Sequence, residues 1–250
     1  MGISYYHKEN SIKGGYMKRK TIKSIVLIGF ILIYITILIF NQVKPLPVGL
    51  DYESEYSTIS DSDIKFLSDI TYSLNEEPFM EHEIFSEFIE VINRSEKFII
   101  IDMFLFKDMG GKNEDYPQIT KEVTDALIKK MNESEINVWI ISDYVNTTYD
   151  SHEAYYLKQL QDNGANVVYA GLHELRDANP LYSTFYRMFF RWLPNTKNGW
   201  IVNPFGAEEP KVTLTSYLDL LNIKGNHRKM ILTENESIFT SANLHDPSGF

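Results

Sequence analysis

Five polar residues in the last quarter of the sequence have the types and the spacing that phosphate chemistry requires. His227 and Lys229 are two residues apart, so on an extended segment both side chains point to the same face. There an imidazole nucleophile and a fixed positive charge can meet one phosphate group. Ser241 and Asn243 repeat this spacing on a second β-like segment, and Glu234 between the pairs adds a carboxylate. Together they predict a site for phosphodiester chemistry.

The order His227-x-Lys229-x4-Glu234, followed by Ser241-x-Asn243, resembles the His-x-Lys-x4-Asp and Gly-Ser-x-Asn motif of the phospholipase D superfamily. The resemblance spans roughly residues 76–249 and is closest to the cardiolipin synthase-like branch. Two positions depart from the motif. Glu234 stands where the family has aspartate, which keeps the charge but lengthens its reach, and a threonine at position 240 stands where glycine is usual.

The resemblance implies an enzyme that acts on membrane phospholipids through a phosphohistidine intermediate, with phosphatidyl transfer favoured over hydrolysis. His227 would be the nucleophile or the general acid. Lys229 and Asn243 would hold the non-bridging phosphate oxygens, and Ser241 would support that loop. Glu234 would take the aspartate's place in the catalytic motif. The resemblance implies neither a metal ion nor a cofactor.

A second histidine is needed to protonate the leaving group and to activate the incoming water or alcohol. In the family it comes from a second copy of the motif, in the same chain or in a partner. The chain has five other histidines, and none is followed by lysine two residues later. We assign His245 to the same loop as Asn243, and His152 and His173 to solvated or packing positions. The sequence is therefore expected to be the first half of a two-motif site, truncated or completed by another chain.

Two other functions remain open. One is a nuclease or another phosphodiesterase of the same superfamily that works as a dimer, and the other is a non-catalytic fragment of a two-motif protein. The first 42 residues carry a net charge of +5. Because the whole chain carries −10, residues 43–250 carry a net charge of −15. Because phosphate neutralisation dominates affinity for nucleic acids, so acidic a domain makes nucleic acid an unlikely partner.

Residues 22–40 are almost wholly apolar and long enough to cross a bilayer. A basic segment precedes them, which is also true of cleaved signal peptides, but the apolar run is long and no small-x-small cleavage site follows. We therefore predict an uncleaved signal anchor in a bacterial cell membrane, translated from Met1 or Met17. The basic flank predicts that residues 1–21 form a cytoplasmic tail. Residues 41–62 would be a stalk, and residues 63–250 an external phospholipase D-like domain.

Apolar patterns predict a β-α-β-α-β succession in this domain. Helical spacing between Ile84 and Ile92 is followed by strands at about 97–106, 136–142 and 166–170. Helices are expected between these strands, the second over about 151–161 with Gly164 as its C-cap. This order predicts a mostly parallel sheet with helices on its faces, and the resemblance implies a phospholipase D-like α/β/α sandwich. Strands at 229–233 and 237–240 should form a hairpin.

An aromatic segment with two arginines precedes an irregular insertion at 194–211. Arg187 and Arg191 are one helical turn apart among aromatic residues, a composition typical of a helix that lies at a lipid interface. A core helix whose arginines reach the surface has the same pattern, and the sequence does not choose between the two. The residues that would face lipid are Phe185, Arg187, Phe189, Arg191 and Trp192.

Overall fold

The computed structural model describes residues 3–50, 53–75, 77–108, 116–206 and 209–249. Its helices are α1 (Ile3–Val43), α2 (Glu83–Arg94), α3 (Ile119–Glu133), α4 (Tyr155–Asp162), α5 (Pro180–Phe189) and α6 (Leu214–Leu220). Its strands are β1 (Asp69–Leu74), β2 (Glu77–His82), β3 (Phe98–Met103), β4 (Phe106–Lys107), β5 (Asn137–Ser142), β6 (Asn166–Tyr169), β7 (Lys229–Thr233), β8 (Ser237–Phe239) and β9 (Leu244–His245). The protein is a mixed α/β protein that begins with one apolar helix.

The apolar helix α1 extends beyond both bounds predicted for the membrane span. Its segment Lys18–Val43 is long and apolar enough to cross a membrane by length and composition, and it is the one such segment among the described residues. Residues 41–43, predicted to start the stalk, belong to this helix. Asn41 is buried at its end, because the following domain packs there. The predicted tail is helical from Ile3 and continuous with the span.

The central sheet has five strands in the order β6-β5-β3-β7-β8. Strands β6, β5 and β3 are parallel, as the β-α-β-α-β pattern predicted. Strand β7 is antiparallel to β3, and β7 and β8 form the predicted hairpin. Ile101 of β3 lies between Ile140 of β5 and Ile231 of β7, and all three side chains are fully buried. These apolar neighbours hold the strands in register.

Three amphipathic helices complete the core around this sheet. Helix α2 packs on α3, and α3 packs on α4. Phe88, Leu127 and Leu160, one from each helix, are fully buried in the same apolar cluster as the β3 and β5 side chains. Helix α4 ends as predicted, since Asn163 is its C-cap and Gly164 has a φ of 101°.

Several local features differ from the sequence-based expectations. The hairpin of β1 and β2 before α2 was not predicted. Helix α4 begins at Tyr155 rather than near 151, because its N-cap residue Ala154 is still extended, with a φ of −81° and a ψ of 110°. The Gly-, Asn- and Asp-rich composition of residues 107–116 predicts a loop, and residues 109–115 of it lie outside the described residues. A two-stranded parallel sheet of β4 and β9 connects the segment after β3 to the end of the described chain.

Candidate phosphate-binding site

The predicted pair of His227 and Lys229 lies where β7 begins, beside the end of β3. Lys229 is paired with Met103, and its side chain is only 8% exposed. Its Nζ lies 3.2 Å from Nδ1 and 3.3 Å from Nε2 of His227, whose imidazole is exposed. Burial lowers the pKa of Lys229. The structure therefore brings together the two groups that the motif predicted, a ring nitrogen and an ammonium within one phosphate's reach.

Phe104, which no sequence motif indicated, supports both side chains. The centroids of its ring and the His227 ring are 4.7 Å apart, and Lys229 Nζ lies 5.5 Å from the centroid of Phe104. The ammonium is therefore positioned for a cation–π contact as well. The Phe104 N–H donates to the carbonyl oxygen of Arg228 at 3.0 Å, which fixes the aromatic residue relative to the motif.

Two buried carboxylates hold the segment that precedes His227. Asp143, directly after β5, accepts a 2.6 Å hydrogen bond from the Asn226 N–H and a 2.8 Å bond from the Val145 N–H. Asp102 of β3 accepts a 2.6 Å bond from the Asn226 side-chain amide. Burial raises the pKa of Asp143, although the two backbone N–H groups and nearby His227 oppose this. Both aspartates were visible in the sequence at the ends of parallel strands, where side chains converge on one edge.

A third polar anchor fixes the segment between β3 and β4. Asn146 is buried, and its side-chain amide donates to the Phe104 carbonyl and to Ser142 Oγ, both at 2.8 Å. Its Oδ1 accepts from the Phe106 N–H at 2.9 Å. Because both ends of this short segment are bonded to one side chain, the Phe104 ring is held against the histidine.

His227 lies at the edge of a pocket of about 630 Å³. Most of its lining is apolar, including Phe104, Leu221 and Ile223, and two cations, Lys107 and Lys224, also line it. Leu221 is 37% exposed and Ile223 is 69% exposed, so apolar groups reach the outside at this pocket. An apolar pocket with ammonium groups and an imidazole suits a molecule that has both hydrocarbon and phosphate.

His245, assigned from the sequence to the loop of Asn243, lines the same pocket as His227. Its strand β9 pairs with β4, which places it beside Lys107. Burial and the charge of Lys107 lower the pKa of His245, and Glu209 opposes them. Lys107 and Glu209 form an ion pair at 3.2 Å. No sequence pattern indicated this arrangement, because His245 reaches the pocket only through the pairing of β4 with β9.

The remaining predicted motif residues lie at different distances from the histidine. Asn243 accepts a 3.4 Å hydrogen bond from the Leu105 N–H, next to the Phe104 ring. Ser241 is exposed and follows Thr240, whose N–H donates to the Lys229 carbonyl at 3.0 Å. Within the described part of the chain, neither Ser241 nor Asn243 is hydrogen-bonded to His227 or Lys229.

Glu234 lies away from this group, at the opposite end of β7. The length of β7 separates it from Lys229, five residues away, by roughly 16 Å at the usual rise per residue. Its carboxylate accepts hydrogen bonds from the N–H groups of Glu96 at 2.6 Å and Phe98 at 3.4 Å. Its own N–H and those neighbours lower the pKa of Glu234. The structure thus gives this residue a role in fixing the start of β3, not a place in the pocket.

The aromatic segment, for which the sequence left open a lipid-facing helix or a core helix, forms most of α5, which packs beside α1. Phe185 and Phe189 are 43% and 46% exposed, and Trp192 is 78% exposed. Arg191 is exposed, but Arg187 turns inward and donates twice to Asp177, at 3.0 and 2.9 Å. Arg187 therefore serves an internal ion pair, which corrects its assignment to the lipid-facing group.

Comparisons with known proteins add no assignment. No protein-family model matches this sequence, and no curated protein matches it. Among the described residues, no group of three or more histidines, aspartates and glutamates is arranged to hold a metal ion. The function of this chain must therefore be inferred from the geometry around His227.

Proposed function

We propose that this chain is a membrane-anchored phosphodiesterase or phosphatidyltransferase of the phospholipase D type, acting on phospholipids. The observation that carries the proposal is the contact of Lys229 Nζ with the His227 ring, at 3.2 Å, beside an apolar pocket. A ring nitrogen that accepts this hydrogen bond carries a lone pair, as a nucleophile must. The apolar lining supports a lipid, and the net charge of −15 beyond residue 42 disfavours a nucleic acid.

The first chemical step would form a phosphohistidine. A nitrogen of His227 attacks phosphorus, the P–N bond forms, and the P–O bond to the leaving alcohol breaks. Lys229 would offset the charge that grows on the non-bridging oxygens, and Asn243 and Ser241 would add hydrogen-bond donors. The leaving alkoxide takes a proton from an acid. The proposed source of this acid is the histidine of a second motif, either in another chain or in a second half of the same protein.

The second step would transfer phosphorus from His227 to water or to an alcohol. His245 lines the same pocket, and burial with the charge of Lys107 lowers its pKa, which favours the neutral ring. A neutral imidazole can take the proton of the incoming water or alcohol while its oxygen bonds to phosphorus and the P–N bond breaks. We include His245 in the proposed site for this reason.

The membrane arrangement belongs to the same proposal. The basic residues before the apolar part of α1 favour a cytoplasmic N-terminus, with the α/β domain outside. The phospholipase D-like α/β/α sandwich is likewise proposed, supported by the mixed sheet and the position of the motif at the β7 start.

The test is turnover by the full chain in vesicles that contain phosphatidylglycerol, with DNA as the competing substrate. We expect release of glycerol or transfer of the phosphatidyl group. With labelled substrate we also expect a labelled phosphohistidine, which is hydrolysed in acid. His227→Ala should abolish both signals, whereas His173→Ala, at a half-exposed histidine outside this pocket, should preserve them. Cleavage of DNA alone, or labelling that survives His227→Ala, would overturn the proposal.

Mixing tests the source of the second histidine. If another copy of the chain supplies it, the activity per chain should rise with protein density in the vesicle. An added His227→Ala chain should then lower the activity of the wild type. If the activity per chain does not change with density, both histidines belong to one chain, and His245 becomes the proposed second histidine.

A further inference from the structure

Helix α5 packs against the second half of α1, the half nearer the folded domain. The rings of Phe30 and Phe189 lie 6.1 Å apart, and the Tyr34 hydroxyl donates to the Leu181 carbonyl at 2.5 Å. The chain before α5 meets α1 further along, at Asn41. This order of contacts means that α5 runs along α1 in the opposite direction, from the level of Asn41 towards that of Phe30.

These contacts overlap the segment that is apolar enough to span a membrane. Residues 30–40 of α1 rise about 15 Å, which is half of a hydrocarbon core of about 30 Å. If α1 crosses the bilayer, α5 must lie beside it in the leaflet on the domain's side. An interfacial helix would keep one depth in the membrane, but the contacts of α5 move along α1 from Tyr34 to Phe30.

The partly exposed face of α5, which includes Phe189 beside α1, has the composition that this position requires. Leu181, Phe185 and Phe189 are spaced by four residues and are 67%, 43% and 46% exposed. In water, three large apolar side chains on one helix face would be left uncovered, whereas lipid chains would cover them. The Tyr182 hydroxyl on another side of the helix donates to the Leu218 carbonyl at 2.6 Å, so its polar group is satisfied within the protein.

A cluster of cations lies where α1 and α5 meet. Asp177 is fully buried at its centre and pairs with Arg187 and with Lys224, the latter at 2.9 Å. Burial lowers the pKa of Lys44, and so does repulsion from Lys224, Arg187 and Arg191. Of the four charged groups that act on Lys44, only Asp177 is an anion. Arg187 and Lys224 already share that carboxylate, so among the described residues the positive charges of Lys44 and Arg191 are left without a comparable counter-charge.

We propose that this junction is a binding site for an anionic phospholipid, distinct from the His227 pocket, with which it shares Lys224. Its acyl chains would lie against Leu181, Phe185 and Phe189, and its phosphate would contact Lys44 and Arg191. Lys44 Nζ donates to the His173 carbonyl at 3.3 Å and retains other N–H groups for a phosphate. The charge of Arg191 acts on Lys44, so the two cations lie near each other, and long arginine side chains in membranes extend to the headgroup level.

The first test measures thermal unfolding of the full chain in neutral detergent while dioctanoyl phosphatidylglycerol is added. A ligand that binds only the folded state raises Tm in proportion to its occupancy. We expect saturable stabilisation, and an apparent affinity at least tenfold weaker in Lys44→Gln/Arg191→Gln. The matched control is Lys129→Gln/Lys158→Gln, which removes two exposed lysines from α3 and α4. Equal stabilisation by phosphatidylcholine or by inorganic phosphate, or unchanged affinity in the double variant, would overturn the site.

The second test measures the depth of α5 directly. Because the chain has no cysteine, Phe185→Cys accepts one fluorescent label in an otherwise unreactive protein. In vesicles with brominated lipid chains the label at position 185 should be quenched. A label at Tyr155→Cys, a 64% exposed position on α4, should remain bright. An unquenched label at 185 would refute the position in the leaflet. Neither test depends on turnover, so failure of the proposed chemistry would leave both results interpretable.

Discussion

Replacing Asp177 with asparagine should destabilise the protein more than any exposed charge substitution. The carboxylate is fully buried and makes three contacts of 3.0 Å or less, two with Arg187 and one with Lys224. Asparagine has nearly the same shape but leaves two cations without their counter-charge. Breaking a buried ion pair from one side costs about 3–5 kcal/mol. Because the Arg187 side chain is 18% exposed and partly hydrated, we expect the lower end, about 3 kcal/mol.

For a domain of this size, about 3 kcal/mol corresponds to a fall in Tm of about 6–12 °C. The measurement is thermal unfolding of the full chain at pH 7, followed by circular dichroism. The matched control is Asp125→Asn, whose exposed pair with Lys121 on α3 should contribute at most about 1 kcal/mol. If the Tm of Asp177→Asn lay within about 2 °C of the control, the carboxylate would not hold these cations as described.

Acid provides an independent check on the same residue. Burial alone would raise the pKa of Asp177, but hydrogen bonds from Arg187 and Lys224 outweigh it and hold this pKa below 3.8. A carboxyl whose pKa is lowered by folding stabilises the protein above its unfolded pKa, and this contribution is lost as the pH falls through the folded value. The Tm gap between wild type and Asp177→Asn should therefore narrow below about pH 4. A gap that stays constant into stronger acid would contradict the ion-pair explanation.

Three further substitutions test the site and its support. Phe104→Ala should lower turnover roughly 2- to 10-fold, because a ring contact contributes about 0.5–1.5 kcal/mol to positioning His227. The control is Phe239→Ala, at a residue that is 72% exposed. Equal turnover rates in the two variants would show that Phe104 does not position His227. His245→Gln should remove an ionisation below pH 6.5 from the pH–rate profile, since burial lowers that pKa; an unchanged profile would exclude His245 as the base. Glu234→Gln should lower Tm at pH 7, and the Tm of this variant should decrease less in acid than that of the wild type. The reason is that hydrogen bonds lower the pKa of Glu234, and the stability they supply is lost as the pH falls. A loss of turnover at unchanged Tm would return Glu234 to the catalytic group.

Local periodicity was sufficient to predict most regular elements. The spacing of Ile84 to Ile92 predicted α2, and Gly164 predicted the end of α4. The apolar runs predicted β3, β5 and β6 within two or three residues of their ends, and the β7–β8 hairpin followed from two short strands with a polar turn. These predictions succeeded because the patterns arise from which side of one helix or strand is buried, a property of consecutive residues.

The motif spacing also predicted the contact of Lys229 with His227, because it depends on two residues of one extended segment. The same reasoning misplaced Glu234. Five residues along a strand carry a side chain roughly 16 Å away, and only the pairing of β7 with β3 shows that Glu234 meets the N–H of Glu96. Likewise, the arginine pattern of α5 did not reveal that Arg187 turns inward to Asp177.

By itself the sequence determined the apolar helix, the strand and helix order, and the histidine–lysine pair, all of which depend on neighbours a few residues apart. The tertiary structure decided what surrounds that pair. Asp143 reaches Asn226 across 83 residues and Asp102 reaches it across 124, while α1 meets α5 across 147. The pocket, its second histidine and the helix pair at the membrane exist only because folding brings distant segments together, and no local pattern records that proximity.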